Sequence, residues 1–110
     1  MRRAAALSVM LLAGCGADAP GSAGRSDLIL VPASGGLDVV GSGGREIGFG
    51  RDRPGVLESV GRIAGQVPRP VDCASGREAY ATSEGLRLVF EGRTFVGWES
   101  PDAAAGRGCR

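Results

Sequence analysis

Apolar residues come in short runs along this chain, and glycine or proline closes nearly every one of them. Leu28-Ile29-Leu30-Val31, ended by Pro32, predicts a strand or extended edge. After a turn at Ala33-Ser34-Gly35-Gly36, the stretches Leu37-Asp38-Val39-Val40 and Glu46-Ile47-Gly48-Phe49-Gly50 predict two more short strands. The glycine loop between them, Gly41-Ser42-Gly43-Gly44, is followed by neither Lys-Ser/Thr nor a helix, so it reads as a flexible hairpin loop and not as a phosphate cradle. Only one segment has helical period. Val56, Leu57, Val60, Ile63 and Ala64 fall on a single stripe over residues 52–64. Asp52 stands where a side chain caps free N–H groups, and Pro54 lies in the first turn, where a missing N–H costs nothing. Gly65 or the Pro68 region is expected to end the helix.

The last third predicts a meander: a strand over residues 79–82, a turn at Ser83-Glu84-Gly85, then strands over 86–91 and 94–99 hinged at Gly92-Arg93. Simple alternation sets Phe90 opposite Phe95 and Leu88 beside Gly97, leaving Val89, Val96 and Trp98 on the other face. The tail, residues 101–110, is expected to be irregular and pinned by Cys109. A helix and a sheet that are each apolar on one face need one another to leave water. The expected fold is therefore α+β, with one amphipathic helix packed on a small antiparallel sheet, a C-terminal three-stranded meander and one disulfide staple. Twenty Gly and six Pro in 110 residues argue against an all-helical bundle.

Ahead of these elements the pattern changes. Met1-Arg2-Arg3 is positive, and residues 4–13 are apolar apart from Ser8, a run about half of the roughly 20 residues a spanning helix requires. It reads as a secretory signal and not as a membrane anchor. The run ends in Leu12-Ala13-Gly14-Cys15, which resembles the lipobox of bacterial lipoproteins. That resemblance implies a diacylglyceryl group on the Cys15 thiol, cleavage before Cys15 and acylation of the freed amine. Acyl chains contribute about 0.8 kcal/mol per buried CH2, and two or three of them hold a protein on a membrane firmly. The expected division is a signal over 1–14, the lipidated Cys and a flexible tether over 15–26, and one small α+β domain over 27–110. In the enterobacterial sorting rule an Asp directly after the lipidated Cys retains the protein in the inner membrane. Here that residue is Gly16, which favours the periplasmic face of the outer membrane.

With Cys15 assigned to lipid, Cys73 and Cys109 are left as a pair in an oxidising compartment and are expected to be bridged. All thirteen basic residues are Arg, and two lie in the signal, so the mature chain carries 13 − 2 = 11 against 12 acids. A net charge near −1 gives no broad field for a polyanion, and nucleic acid is not an expected partner. There is no His, which removes His-dependent triads and zinc patterns, and the acids are scattered. Hence no catalytic residue, metal or cofactor is expected, and the domain is not expected to be an enzyme.

From Ile47 to Trp98 the chain reads I-G-x-G, an amphipathic helix with Val56-Leu57, a Gly and a Pro, then G-L-x-L-x-F-x-G-x-x-F-x-G-W. This order resembles the small α+β envelope lipoproteins of the outer-membrane assembly accessory type and the β-lactamase-inhibitor-like repeats. Those proteins have two helices where this chain has one, and they lack its early strands and its Cys pair. The resemblance covers about half the chain and implies a non-enzymatic binding or scaffolding role in the envelope. A second expectation is an inhibitor or immunity-type protein that blocks a periplasmic enzyme. Candidate partner contacts are Val96 and Trp98, since Trp is enriched at interfaces, although Trp98 reads first as core. Arg51 and Arg53, flanking the helix start, are candidates for lipid headgroups or a partner carboxylate, with an exposed cap region as the plainer reading.

Overall fold

The computed structural model describes residues 27–110; the expected signal, Cys15 and the expected tether lie outside the described residues. The element order is β1 (Ile29–Ala33), β2 (Gly36–Val40), β3 (Arg45–Gly48), α1 (Arg53–Ala64), β4 (Arg69–Val71), β5 (Glu78–Ala81), β6 (Arg87–Glu91), β7 (Thr94–Glu99) and β8 (Ala104–Gly106). Strands β1-β2-β3 form one antiparallel sheet and β4-β5-β6-β7-β8 form a second, each in chain order. The α+β class, the single helix and the staple are as expected.

Several local expectations are corrected. Strand β1 does not stop at Pro32 but pairs it with Leu37 and continues to Ala33. An edge strand tolerates a residue without an N–H. Ser42 ties the glycine turn, accepting from Arg45 N at 3.0 Å and donating to the Val39 carbonyl. The meander has five strands rather than three, and the tail is not wholly irregular, because Arg69-Pro70-Val71 and Ala104-Ala105-Gly106 pair along its two edges. Neither triplet alternates apolar with polar, so nothing in its pattern marks a strand.

Helix α1 ends on Gly65, which is in the left-handed region with φ of 90°. Its buried side is Val56, Val60 and Gly61, while Leu57 and Ile63 are only half-buried and Ala64 is exposed. Asp52 does not cap the helix with its side chain. Its carboxylate instead receives Arg93 Nε and Nη2 at 3.1 and 3.0 Å. A planar guanidinium fork offers a carboxylate two charge-assisted bonds, more than a backbone N–H can. Backbone pairing reinforces the contact, with Gly50 N donating to Phe95 O, Phe95 N to Arg51 O and Arg53 N to Arg93 O. The chain ahead of the helix is thereby zipped to the start of β7.

One core joins all three layers. Leu37, Val39 and Ile47 from the first sheet and Val56 and Val60 from α1 meet Leu88, Phe90, Phe95 and Trp98 from the second. The expected register fails at β7. Phe90 does face Phe95, but Val89 faces Gly97 and Leu88 faces Trp98, so Val96 is the extra residue of a β-bulge. The bulge returns Trp98 to the face of Phe95, three residues earlier. There Trp98 is 5% exposed, and its indole N–H donates to the Ala33 carbonyl at 2.7 Å, linking the second sheet to β1.

A shared core makes a defect in the first sheet a defect of the whole domain. Leu37→Ala is expected to cost about 2–5 kcal/mol, from lost transfer energy and a residual cavity. Ile29→Ala, at a position 59% exposed, should cost less than about 0.5 kcal/mol. Urea melts of the two oxidised variants check this; equal midpoints would place the first sheet outside the cooperative core.

Candidate functional site

The second sheet has an outer face as well as a core face, and the C-terminal segment crosses it. Cys73 follows β4 and Cys109 follows β8, the opposite edges of the sheet, yet the two residues form a disulfide with Cα atoms 4.7 Å apart. Residues 107–109 therefore run as a strap from the β8 edge over the outer face of the sheet, where Cys73 comes to meet them. Arg107 N donates to Val96 O at 2.8 Å, and Cys109 packs with Ala79 and Val89, with Val96 and Cys73 beside them. Gly97 makes room for the crossing: a Cβ there would stand 2.0 Å from the Arg107 carbonyl oxygen.

Charged side chains border the strap on both sides. On one, Glu91 accepts Arg77 Nε at 3.0 Å and Arg107 Nη1 at 2.9 Å, while Arg77 Nη1 donates to Gly108 O at 3.0 Å. On the other, Glu99 uses both oxygens, one accepting Arg87 Nη1 at 3.2 Å and one accepting Cys109 N at 2.8 Å. The Glu99 side chain is 13% exposed, and a Cβ on Gly108 would collide with its carboxylate. Glu99 thus holds the strap down, and Gly108 lets it approach.

Beside Glu99 opens a cleft of about 720 Å³, bordered by Asp72, Arg87, Ser100 and Arg110 with the disulfide in its wall. Its size matches the ~300–1,000 Å³ typical of ligand sites. Arg87 and Glu99 are already bound to one another, whereas Asp72 and Arg110 make no ion pair among the described residues. The cleft can bind a polar or charged segment between fixed groups of both signs. Among the described residues no three His, Cys, Asp or Glu side chains converge as a metal site would require.

The structure disperses the residues singled out from sequence. Trp98 is inside the core, and Val96 is half-buried beneath the strap, so the two form no open face. Arg53 is occupied by Glu78 and by the Gly92 carbonyl. Arg51 is exposed and lines a separate groove near the helix. Cys73 and Cys109 are joined as expected. Glu99, Arg87, Arg77 and Glu91 were missed. Opposite charges facing across a hairpin were the available signal, since Arg87 and Glu99 are direct partners in the register. No family model, curated protein or solved structure matches the chain.

Two outcomes follow from the strap. Alkylation without reductant should modify neither Cys73 nor Cys109, and reduction should lower the stability by roughly 4 kcal/mol, the chain-entropy value for a loop of this length. Recovery of both cysteines alkylated from unreduced protein would remove the strap. Glu99→Ala leaves Arg87 and the Cys109 N–H without their acceptor and should cost about 1–3 kcal/mol in urea melts with the disulfide intact. A midpoint equal to that of the parent would show that Glu99 does not hold the strap.

Proposed function

We propose that this protein is a bacterial envelope lipoprotein, fixed to a membrane through lipid on Cys15, whose domain acts as a non-enzymatic binding or scaffolding module. The observation that carries this reading is the order of parts at the N-terminus. A positive start, a run too short to span and Leu12-Ala13-Gly14-Cys15 follow one another as export and lipidation require. Two features of the described residues agree with it. The Cys73–Cys109 bridge suits an oxidising compartment. No described helix is long and apolar enough to cross a membrane, so the described domain offers no helical anchor of its own. Gly16 after the lipidated Cys favours the periplasmic face of the outer membrane.

The binding surface on this reading is the cleft beside the strap. Its backing is covalently closed, and two of its charges, Arg87 and Glu99, are held by one another, so a bound segment meets a wall that needs little ordering. The inhibitor reading also has to use the cleft, because the Val96 and Trp98 face on which it was built is covered.

Cells fed labelled palmitate test the anchor: the wild-type protein should take up label and Cys15→Ala should not. Equal labelling of the two, or none in the wild type, sinks the lipoprotein reading. Capture with the intact protein as bait separates the two roles. An envelope assembly complex supports scaffolding, whereas a single soluble hydrolase supports inhibition.

A further inference from the structure

Ten of the thirteen Arg residues lie in the described part of the chain, namely 45, 51, 53, 62, 69, 77, 87, 93, 107 and 110. Six of these have carboxylate partners: Arg53, Arg62, Arg77, Arg87, Arg93 and Arg107. Four make no ion pair or side-chain hydrogen bond with a described residue. Of those four, Arg69 and Arg110 are apart, but Arg45 and Arg51 rim the same groove, together with Arg62 from α1. The groove lies between α1 and the first sheet and has a volume of about 210 Å³. Glu46 is the single carboxylate on its rim, and Arg62 is already bound to Glu58 at 2.7 Å, so the uncompensated charge comes from Arg45 and Arg51 against Glu46. Val39, Ile47 and Ile63 supply an apolar floor.

That combination selects for chemistry. The surplus positive charge calls for an anion, and guanidinium forks match phosphate oxygens in particular. The volume is below the ~300 Å³ at which pockets begin to enclose a small molecule, so a headgroup fits better than a whole ligand. Position narrows the choice further. Leu28 also lines this groove, and Cys15 precedes it by 28 − 15 = 13 residues, which at ~3.3–3.6 Å each reach no further than about 47 Å.

We propose that the groove rimmed by Arg45, Arg51 and Arg62 binds the phosphate-bearing headgroups of anionic lipids in the membrane that carries the Cys15 anchor. The inference rests on the lipoprotein reading for its setting. Acyl chains suffice for attachment, so this second contact fixes orientation. It holds the first sheet and α1 toward the lipid and leaves the strap and its cleft turned toward the periplasm.

The test uses the mature chain from residue 15 with Cys15→Ser, so that no acyl chain contributes, and vesicles of phosphatidylglycerol with phosphatidylethanolamine against vesicles of phosphatidylethanolamine with phosphatidylcholine. The protein is expected to sediment with the anionic vesicles only, and less as salt is raised. Arg45→Gln and Arg51→Gln should each weaken partitioning roughly fivefold and the double variant roughly thirtyfold, at about 1 kcal/mol per basic residue near an anionic surface. Arg69→Gln, which removes the same charge elsewhere, should change nothing. Buried Trp98 fluorescence checks that each variant is folded. Absence of sedimentation, or an equal loss from Arg69→Gln, overturns the proposal. A titration with inorganic phosphate, followed at the guanidinium resonances, supplies the other arm: shifts at Arg45 and Arg51 without sedimentation assign a free-anion site and overturn the lipid assignment. The anchor and the groove fail separately. Protein that sediments with anionic vesicles but takes up no palmitate keeps the groove and loses the anchor, and the converse result loses the groove.

Discussion

Phe95 and Trp98 must both leave water, and they are three residues apart on one strand. In an unbroken strand that spacing sends them to opposite faces. The extra residue at Val96 resolves the conflict, and much of the structure follows from it. Trp98 enters the core beside Leu88 and reaches across to the Ala33 carbonyl, which holds the first sheet over the second. Phe95 packs on Phe49 and Phe90, with ring centroids 5.1 and 5.4 Å away. On the outer face, Val96 and Gly97 become the surface over which the strap crosses, and a side chain at 97 would block it. A single inserted position thereby serves the core on one side and the covalent closure on the other.

The helix is positioned by its preceding segment as much as by its apolar stripe. Residues 50–53 pair with the start of β7 on the same edge that β8 covers further along. Asp52 and Arg53 bind Arg93 and Glu78, fixing the helix start to the meander independently of the apolar stripe. These ion pairs are at least partly exposed, and each contributes little alone. Their value is directional, since they set which side of α1 faces inward.

Elements whose residues carry a strong local signal were legible in the sequence. The alternation of β2, the apolar run of β6, the glycine after Ala64 and the period of Val56 and Val60 all correspond to observed structure. What was hidden depends on partners distant in the chain. The strands β4 and β8 exist because an exposed sheet edge accepts three residues of almost any composition. The bulge at Val96 has no local marker except the neighbouring glycine, and one added residue moved Trp98 from the face of Val89 and Val96 to that of Phe95. The two cysteines could be paired by counting, but the crossing of the sheet that their bond closes could not. The cleft shares that origin, because its walls come from four separate stretches of chain, and the bond joins the first of them to the last.

The bond also divides the molecule mechanically. Strands β5 to β8 lie inside the covalent ring closed by Cys73 and Cys109, whereas β1 to β4 and α1 lie outside it. A pull applied through the N-terminal end enters at β1, an edge strand held by non-covalent contacts alone, its ladder with β2 and the Trp98 bond to Ala33 among them. Load that passes beyond Cys73 meets a loop that cannot lengthen. The domain is therefore compliant toward its leading end and stiff toward its trailing one, and the stiff part is the one that carries the cleft.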